Sequence, residues 1–235
     1  MTNQWDQQNI SVDVVPYVMD HSTNTLKIAL TTRTFEPFKV EQALPGVLMI
    51  GSERAGEAAT RALKTKIDSN VNIKYLKDIG ISDIPNRDSR GPSLTIIMLA
   101  VIELGSDISE NIKLIPASEA ANLSLPFDHH TIIERTNQYV DQNILQDKQI
   151  TEDLLGDGFS TKAVYGVLEE VHTGKYNSLD KTNLSRRLKT FGYVQKREDG
   201  SLVQPLNASS SFSSLTSSIS SSTSKGRPSN KWFKE

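Results

Sequence analysis

Short runs of apolar residues in the first half of the chain show the pattern of β-strands. Residues 10–19 and 25–32 are rich in β-branched side chains, which favour extended backbone. ALPGVLMIG (43–51) predicts a third extended run, broken by Pro-Gly, and residues 71–81 predict another strand. SLTIIMLAVIEL (93–104) is the most apolar segment of the chain and predicts a buried strand.

One helix is predicted among these strands and a second after the last of them. Ala59, Ala62, Leu63 and Ile67 recur at helical spacing and leave one face apolar. PASEAANL (116–123) predicts a second, shorter helix. This order of strands and helices is typical of an α/β or α+β domain of about 125 residues.

The pattern becomes helical after LPFDHH. Asp128 is predicted to cap a helix over residues 129–146. A second helix within residues 159–174 is predicted to begin at a Ser160 or Thr161 cap and to end at Gly174, and the segment 178–192 predicts a third.

A hairpin is predicted to follow these helices. YVQKREDGSLVQPL (193–206) predicts a strand, a turn and a strand, and GRPSNKWFKE (226–235) predicts a last strand. Residues 209–224 contain 11 Ser in 16 positions and predict a mobile loop. Two short helices and a hairpin with a long tip indicate a winged helix-turn-helix. We therefore predict domains at 1–128 and 149–235, a linker helix over 129–148, and a Ser-rich wing loop over 208–224.

Composition narrows the class of protein. The chain has no Cys, which excludes disulfides, thiolate metal sites and a thiol nucleophile. No apolar run reaches the roughly 20 residues of a membrane span, and no secretory signal is recognisable, so a cytoplasmic protein without membrane contact is expected. Residues 1–147 carry a net charge of −6 and residues 148–235 a net charge of +4, which favours a polyanionic partner for the C-terminal half.

The helix within residues 178–192 has the two faces of a DNA recognition helix. Leu184, Leu188 and Phe191 form an apolar side for docking, and the other side is basic and hydroxyl-rich. Arg and Lys can bind guanine edges and phosphates, although an ordinary amphipathic surface helix also carries such residues. The predicted DNA-binding residues of this helix, together with one basic residue of the wing, are Lys181, Thr182, Asn183, Ser185, Arg186, Arg187, Lys189 and Arg227.

The segment ALPGVLMIGSERAGEAATRALKTKI resembles a Nudix box, the strand–loop–helix signature of hydrolases of linked nucleoside diphosphates. Glu53, Arg61 and Leu63 match that signature. The positions that depart from it are Val47 for Gly, Ala62 for Glu, Thr65 and Lys66 for the paired metal-binding Glu residues, and Asp68 for the final Gly.

These departures imply that the catalytic metal site is absent and that the protein is not an enzyme. Hydrolysis of a pyrophosphate uses Mg²⁺ held by carboxylates, whereas Thr65 is neutral and Lys66 repels a cation. We therefore predict no catalytic residues, no metal and no cofactor. Lys66 either faces a bound phosphate in place of the metal's charge or is an ordinary solvated lysine.

Further segments resemble the NrtR-like regulators, which join a Nudix-derived sensor domain to a C-terminal winged helix. The matching segments are NRDSRGPSLTIIMLAVI, LPFDHHTII, TNLSRRLKTFGYV and GRPSNKWF. The resemblance implies an α+β fold: a Nudix-like α/β/α sandwich with a mixed sheet, followed by a winged helix-turn-helix. It also implies a homodimeric transcriptional regulator, often a repressor of NAD-related genes that binds double-stranded operator DNA and responds to ADP-ribose or a related effector.

A sensor derived from a pyrophosphohydrolase can retain affinity for phosphate. The predicted ligand-binding residues are Arg33, Phe38, Arg87, Asp88 and Arg90, since guanidinium groups suit phosphate and Phe35 or Phe38 can stack on a base. Alternatively, Arg87, Asp88 and Arg90 form an ion-pair cluster that holds their loop. Other functions left open are a regulator of sugar catabolism with a sugar effector, an active Nudix pyrophosphohydrolase and a structural adaptor.

Overall fold

The computed structural model describes residues 9–106, 108–172, 181–197, 202 and 230–234. The strands in this part of the chain are β1 (Asn9–Asp20), β2 (Thr25–Thr32), β3 (Gln42–Ala43), β4 (Gly46–Leu48), β5 (Asn72–Ser82), β6 (Ser93–Glu103), β7 (Ile112–Pro116), β8 (Tyr193–Lys196) and β9 (Lys231–Lys234). The helices are α1 (Ala55–Lys66), α2 (Ala117–Ala120), α3 (His129–Asn143), α4 (Lys148–Leu155), α5 (Thr161–Val171) and α6 (Lys181–Thr190).

Strand β1 is the centre of a mixed seven-stranded sheet with the order β3-β2-β1-β6-β5, in which β4 also pairs with β1 and β7 with β2. Its first half pairs antiparallel with β4, its last four residues pair antiparallel with β2, and its other edge runs parallel to β6. The Pro-Gly break predicted within residues 43–51 separates β3 from β4. The start of β1, the end of β2 and strand β4 therefore lie close together beside α1.

Alternate residues of the sheet enter two apolar cores. Val12 and Val14 pack with α1 on one face, whereas Val15 and Tyr17 pack on the opposite face with α2, α3 and α4. Helices thus cover both faces of the sheet, and the predicted α/β/α layers with a mixed sheet are confirmed.

The described residues of the C-terminal half include α4, α5, α6 and the paired strands β8 and β9. Ser160 caps α5 by accepting a hydrogen bond of 3.1 Å from the Ala163 N–H, as predicted. Gly192, with a φ of 80°, follows α6 in the left-handed conformation that favours glycine. A single bridge joins Phe159 to Trp232 beside the hairpin. These elements are consistent with a winged helix-turn-helix, and their apolar residues continue the core of the second sheet face.

Several local predictions need correction. Strand β7 and helix α4 had no predicted counterpart, and α3 ends at Asn143 rather than at 146, because Asp147 caps α4. Strand β8 pairs along its length with β9, and within residues 201–206 the described contact is the bridge from Leu202 to Lys196.

The predicted cap of α3 is also wrong. Asp128 occupies the N-cap position, but its side chain accepts no hydrogen bond from the helix backbone. The carboxylate binds Ser82 and Arg87 instead, because a buried carboxylate gains more from a charged partner than from a backbone N–H. The predicted end of α5 at Gly174 and the loop 208–224 lie outside the described residues. The predicted domain boundaries stay a prediction. No helix in the described ranges is both long and apolar enough to cross a bilayer.

Candidate functional site

A cavity of about 710 Å³ opens between the start of β1, the end of β2, strand β4 and the C-terminal end of α1. The loop after β2, the loop between β5 and β6, and the start of α3 complete its walls. Its volume lies in the range of small-molecule sites. The charged residues that line it are Asp13, Arg33, Glu36, Arg61, Lys66, Arg87, Asp88 and Arg90.

A buried ion-pair network joins three of these walls. Arg87 contacts Asp13 at 2.8 Å and Asp128 at 2.7 Å, and the exposed fractions of the three side chains are 4%, 9% and 6%. Ser82 donates a hydrogen bond to the second oxygen of Asp128. The network therefore fixes β1, the end of β5, the Arg87 loop and the start of α3 relative to one another.

His129 links the same network to the β3–β4 connection. Its Nδ1 accepts a hydrogen bond of 3.1 Å from the Leu44 N–H, which places the proton of a neutral ring on Nε2. Nε2 lies 3.7 Å from Asp13 Oδ1. Burial raises the pKa of Asp13, but the adjacent Nε2–H of His129 and the positive charge of Arg87 outweigh burial and hold that pKa well below its usual range.

Phe127 lies among three guanidinium groups at the cavity wall. Its ring centroid is 4.9 Å from the Cζ atom of Arg33, 5.9 Å from that of Arg90 and 6.0 Å from that of Arg87. Phe38 packs edge to face on Phe127 with a centroid distance of 5.2 Å. Both Phe residues have positive φ values, 66° for Phe38 and 58° for Phe127, which are strained for non-glycine residues.

The predicted ligand-binding residues cluster around this cavity. Arg33, Arg87, Asp88 and Arg90 line it, whereas Phe38 does not line it but packs against Phe127, which does. Arg90 pairs with Asp88 at 2.6 Å on the exposed rim, as the ion-pair alternative describes, whereas Arg87 pairs with Asp13 and Asp128 outside the loop. Their role in ligand binding stays a prediction.

Asp13, Phe127 and His129 also line the cavity, although they are not among the ligand-binding residues predicted from the sequence. Asp13 carried a signal, since it is a charged residue at an inward position of the apolar run SVDVV. His129 and Phe127 lie in LPFDHH, where the adjacent Asp128 was interpreted as a helix cap. For Lys66 the sequence left two alternatives, a contact with a bound phosphate or an ordinary solvated position. Lys66 lines the cavity.

Helix α6 presents the two faces that its sequence predicts. Leu184 and Leu188 are fully buried, whereas Arg186 and Lys189 are exposed. The intermediate positions are Asn183, Ser185 and Arg187. Lys181 and Thr182 begin the helix, and Arg227 lies outside the described residues. The DNA-binding roles of all these residues stay predictions.

Fold and cavity place the chain in a structural class: a Nudix-like domain followed by elements of a winged helix. The chain resembles in fold the crystal structure of Shewanella oneidensis NrtR complexed with a 27mer DNA, with a TM-score of 0.65, 21% sequence identity, and coverage of 96% of this chain and 93% of that one. A MutT/nudix family protein from Enterococcus faecalis matches with a TM-score of 0.60, 20% identity, and coverage of 85% and 88%. These likenesses confirm the predicted fold class.

Two curated proteins are similar in sequence. The ADPR responsive transcriptional repressor NtrR of Acinetobacter baylyi is 26% identical over 131 residues, which cover 54% of this chain and 52% of that protein. An ADP-ribose pyrophosphatase of Methanocaldococcus jannaschii is 32% identical over 111 residues, which cover 46% and 64%. The chain thus spans about half to two thirds of the length of these relatives. No family model matches it. The resemblance to NrtR-like regulators is confirmed.

Proposed function

We propose that the protein is a transcriptional regulator that binds operator DNA as a homodimer and responds to a nucleotide metabolite such as ADP-ribose. One observation carries this proposal: a cavity lined by Arg and Lys side chains and the basic face of α6, with Arg186 and Lys189 exposed, belong to elements that pack on the same apolar core. The similarity to a repressor described as ADPR responsive supports the choice of effector.

The exposed face of α6 suits a duplex. Its Leu184 and Leu188 anchor it in the core, so that Arg186 and Lys189 project away from the protein. Arg can bind a guanine edge through two hydrogen bonds, and Lys can neutralise a phosphate. In the proposed dimer, each subunit reads one half of a palindrome.

A gel shift with the DNA upstream of the protein's own gene tests this function. We expect binding to weaken steeply as salt rises, because neutralised phosphates release counterions, and to change when ADP-ribose is added. The double variant Arg186→Ala/Lys189→Ala should make the slope of log affinity against log salt shallower by about 2, because each of the two subunits loses the Lys189 phosphate contact at about 0.9 per contact.

The double variant Lys64→Ala/Lys113→Ala is the matched control, because it removes two exposed positive charges from the Nudix-like domain. It should bind DNA as the wild type does. Equal loss of binding in both double variants would show that total charge, rather than α6, holds the DNA.

The domain is further proposed to bind its ligand without hydrolysing it. An ADP-ribose pyrophosphatase among the relatives keeps an active hydrolase as the second candidate. Incubation with ADP-ribose and Mg²⁺, followed by chromatography of the products, separates the two. We expect intact ADP-ribose, whereas steady release of AMP would establish the enzyme.

A further inference from the structure

The end of α1 does not have the chemistry of a divalent metal site. A Nudix box holds its metal through carboxylates, and here the two paired positions are Thr65 and Lys66. The Thr65 hydroxyl donates to the Arg61 carbonyl oxygen at 2.7 Å. Lys66 donates from its ammonium to the Gly46 carbonyl oxygen, so that a positive charge lies at the cavity wall. These residues do not fit Mg²⁺.

The nearby carboxylates have other partners. Glu53 holds Arg61 through two hydrogen bonds of 2.8 Å, and Glu57 accepts from the Arg54 N–H at 2.8 Å to close the start of α1. In the part of the chain that the structure describes, no group of three or more His, Asp or Glu is arranged to hold a metal. A divalent cation would therefore have to break existing ion pairs and approach Lys66.

Lys66 and Arg33 supply positive charge to the same cavity. Their hydrogen bonds go to backbone carbonyls: Lys66 to Gly46, and Arg33 to Pro37 at 2.8 Å and Phe35 at 3.4 Å. Burial lowers the pKa of both groups, and repulsion from Arg33 lowers that of Lys66 further. An anion between them would relieve this repulsion.

The backbone around Lys66 supports this placement. Gly46 has no room for a side chain, because a Cβ atom there would collide with the carboxylate of Asp13. The strand can therefore run close to Asp13 and present its carbonyl to Lys66. This hydrogen bond holds the ammonium at the wall of the cavity.

We propose that Lys66 and Arg33 replace the divalent cation, so that the cavity binds a diphosphate group without metal. This inference rests on the proposed function, in which the cavity takes a nucleotide diphosphate. Lys66 acts as a point charge on one phosphate, and the planar fork of Arg33 suits two oxygens of the other. Mg²⁺ then competes with the protein for the diphosphate instead of bridging the two.

Calorimetry with ADP-ribose, in EDTA and in MgCl₂, tests the proposal. We expect binding in EDTA that is equal to or tighter than binding in Mg²⁺. Lys66→Met should weaken binding by about tenfold or more, as the loss of a charge-assisted hydrogen bond implies, and Lys66→Arg should retain most of it. Lys64→Met is the matched control, because Lys64 is an exposed lysine of the same helix that does not line the cavity.

A charge reversal gives a readout that a merely structural lysine would not produce. Lys66→Glu restores one carboxylate of the Nudix box, so its binding of ADP-ribose should vanish in EDTA and return in part with Mg²⁺. Because Lys66 is an exposed residue and not part of an apolar core, these variants should remain folded, and circular dichroism checks this.

The outcomes separate this inference from the proposed function. Binding of ADP-ribose by the wild type only with Mg²⁺, or unchanged binding by Lys66→Met, would overturn the inference and leave the regulator proposal standing. Inorganic pyrophosphate in EDTA supplies the second probe. If it binds in a Lys66-dependent manner while ADP-ribose does not bind, the metal-free diphosphate site stands and ADP-ribose is not the effector. If neither probe binds, the inference fails.

Discussion

Asp13 is the residue on which the geometry of the cavity depends most. It carries a negative charge inside an apolar strand, which is costly unless the charge is paired. Arg87 at 2.8 Å and His129 at 3.7 Å provide that pairing from two other elements. Removal of the carboxylate would leave Arg87 with Asp128 alone and His129 without its acidic neighbour.

We therefore expect Asp13→Asn to lower the free energy of unfolding by about 3 kcal/mol, in the range found when a buried ion pair is broken. Urea denaturation measures the change. Asp88→Asn is the control, because its partner Arg90 is 53% exposed and such pairs contribute less than about 1 kcal/mol. Similar losses in the two variants would contradict the special role of the buried network.

The same residue predicts the response to acid. Because the pKa of Asp13 is depressed in the folded state, its stabilisation is complete above the ordinary carboxyl pKa of about 3.9 and is lost as the pH falls below that value toward the folded pKa. Urea denaturation at a series of pH values from neutral to acidic should show a steeper loss in the wild type than in Asp13→Asn. Parallel curves would exclude Asp13 as a source of the acid sensitivity.

At the scale of helices and strands, periodicity predicted most of the fold. The long strands β1, β2, β5 and β6 have strong apolar patterns and were found. Strand β7 was not predicted, because IKLIP is short and directly precedes a helix, so its pairing with β2 is a tertiary effect. Helix α4 has only eight residues and derives its stability from burial of residues such as Ile150 and Leu154.

The site was predicted less completely than the fold. Arg33 after the second strand and Arg87 and Arg90 in a polar loop indicated the cavity, but contacts between residues distant in sequence complete it. Asp13 and Arg87 are 74 positions apart, and Leu44 and His129 are 85 apart. No local pattern links such pairs, and Asp128 was misassigned for the same reason, since its true partners lie in β5 and the following loop.

Helix α5 offers a test of packing at this scale. Alanine normally stabilises a helix relative to glycine by up to about 1 kcal/mol. A Cβ atom at Gly166 would collide with the Asn24 carbonyl oxygen in the β1–β2 turn, whereas at Gly56 of α1 it would meet Leu76 at an ordinary 3.9 Å. We expect Gly166→Ala to destabilise the protein and Gly56→Ala to stabilise it, as thermal unfolding would measure. A gain in both variants would mean that α5 does not pack closely on the turn.

At the scale of the whole molecule, the two halves share a core. One apolar cluster contains Tyr17 and Leu99 of the sheet together with Leu184 of α6 and Trp232 of β9. Helix α3 begins at the cavity with His129 and continues into this cluster, where Asn137 accepts a hydrogen bond of 2.6 Å from Tyr17. A change at the cavity therefore has a packed route to the proposed DNA-binding half, provided that a ligand favours one arrangement of α3.

The shared core predicts that the two halves unfold together. Trp232 is 1% exposed and donates a hydrogen bond of 2.9 Å to Thr161, so its fluorescence reports on the C-terminal half. The chain's other Trp residue, Trp5, is replaced by Phe so that Trp232 is the sole source of the Trp signal. In the Trp5→Phe protein, we expect the fluorescence transition on heating to coincide with the loss of amide protection in β1 and β6. Gly166→Ala, which weakens the contact between α5 and the sheet, should separate the two transitions. In the Trp5→Phe protein itself, a fluorescence change that precedes the loss of amide protection would show that the two halves unfold independently. Coupling through α3 would then lack the rigid contact that it requires.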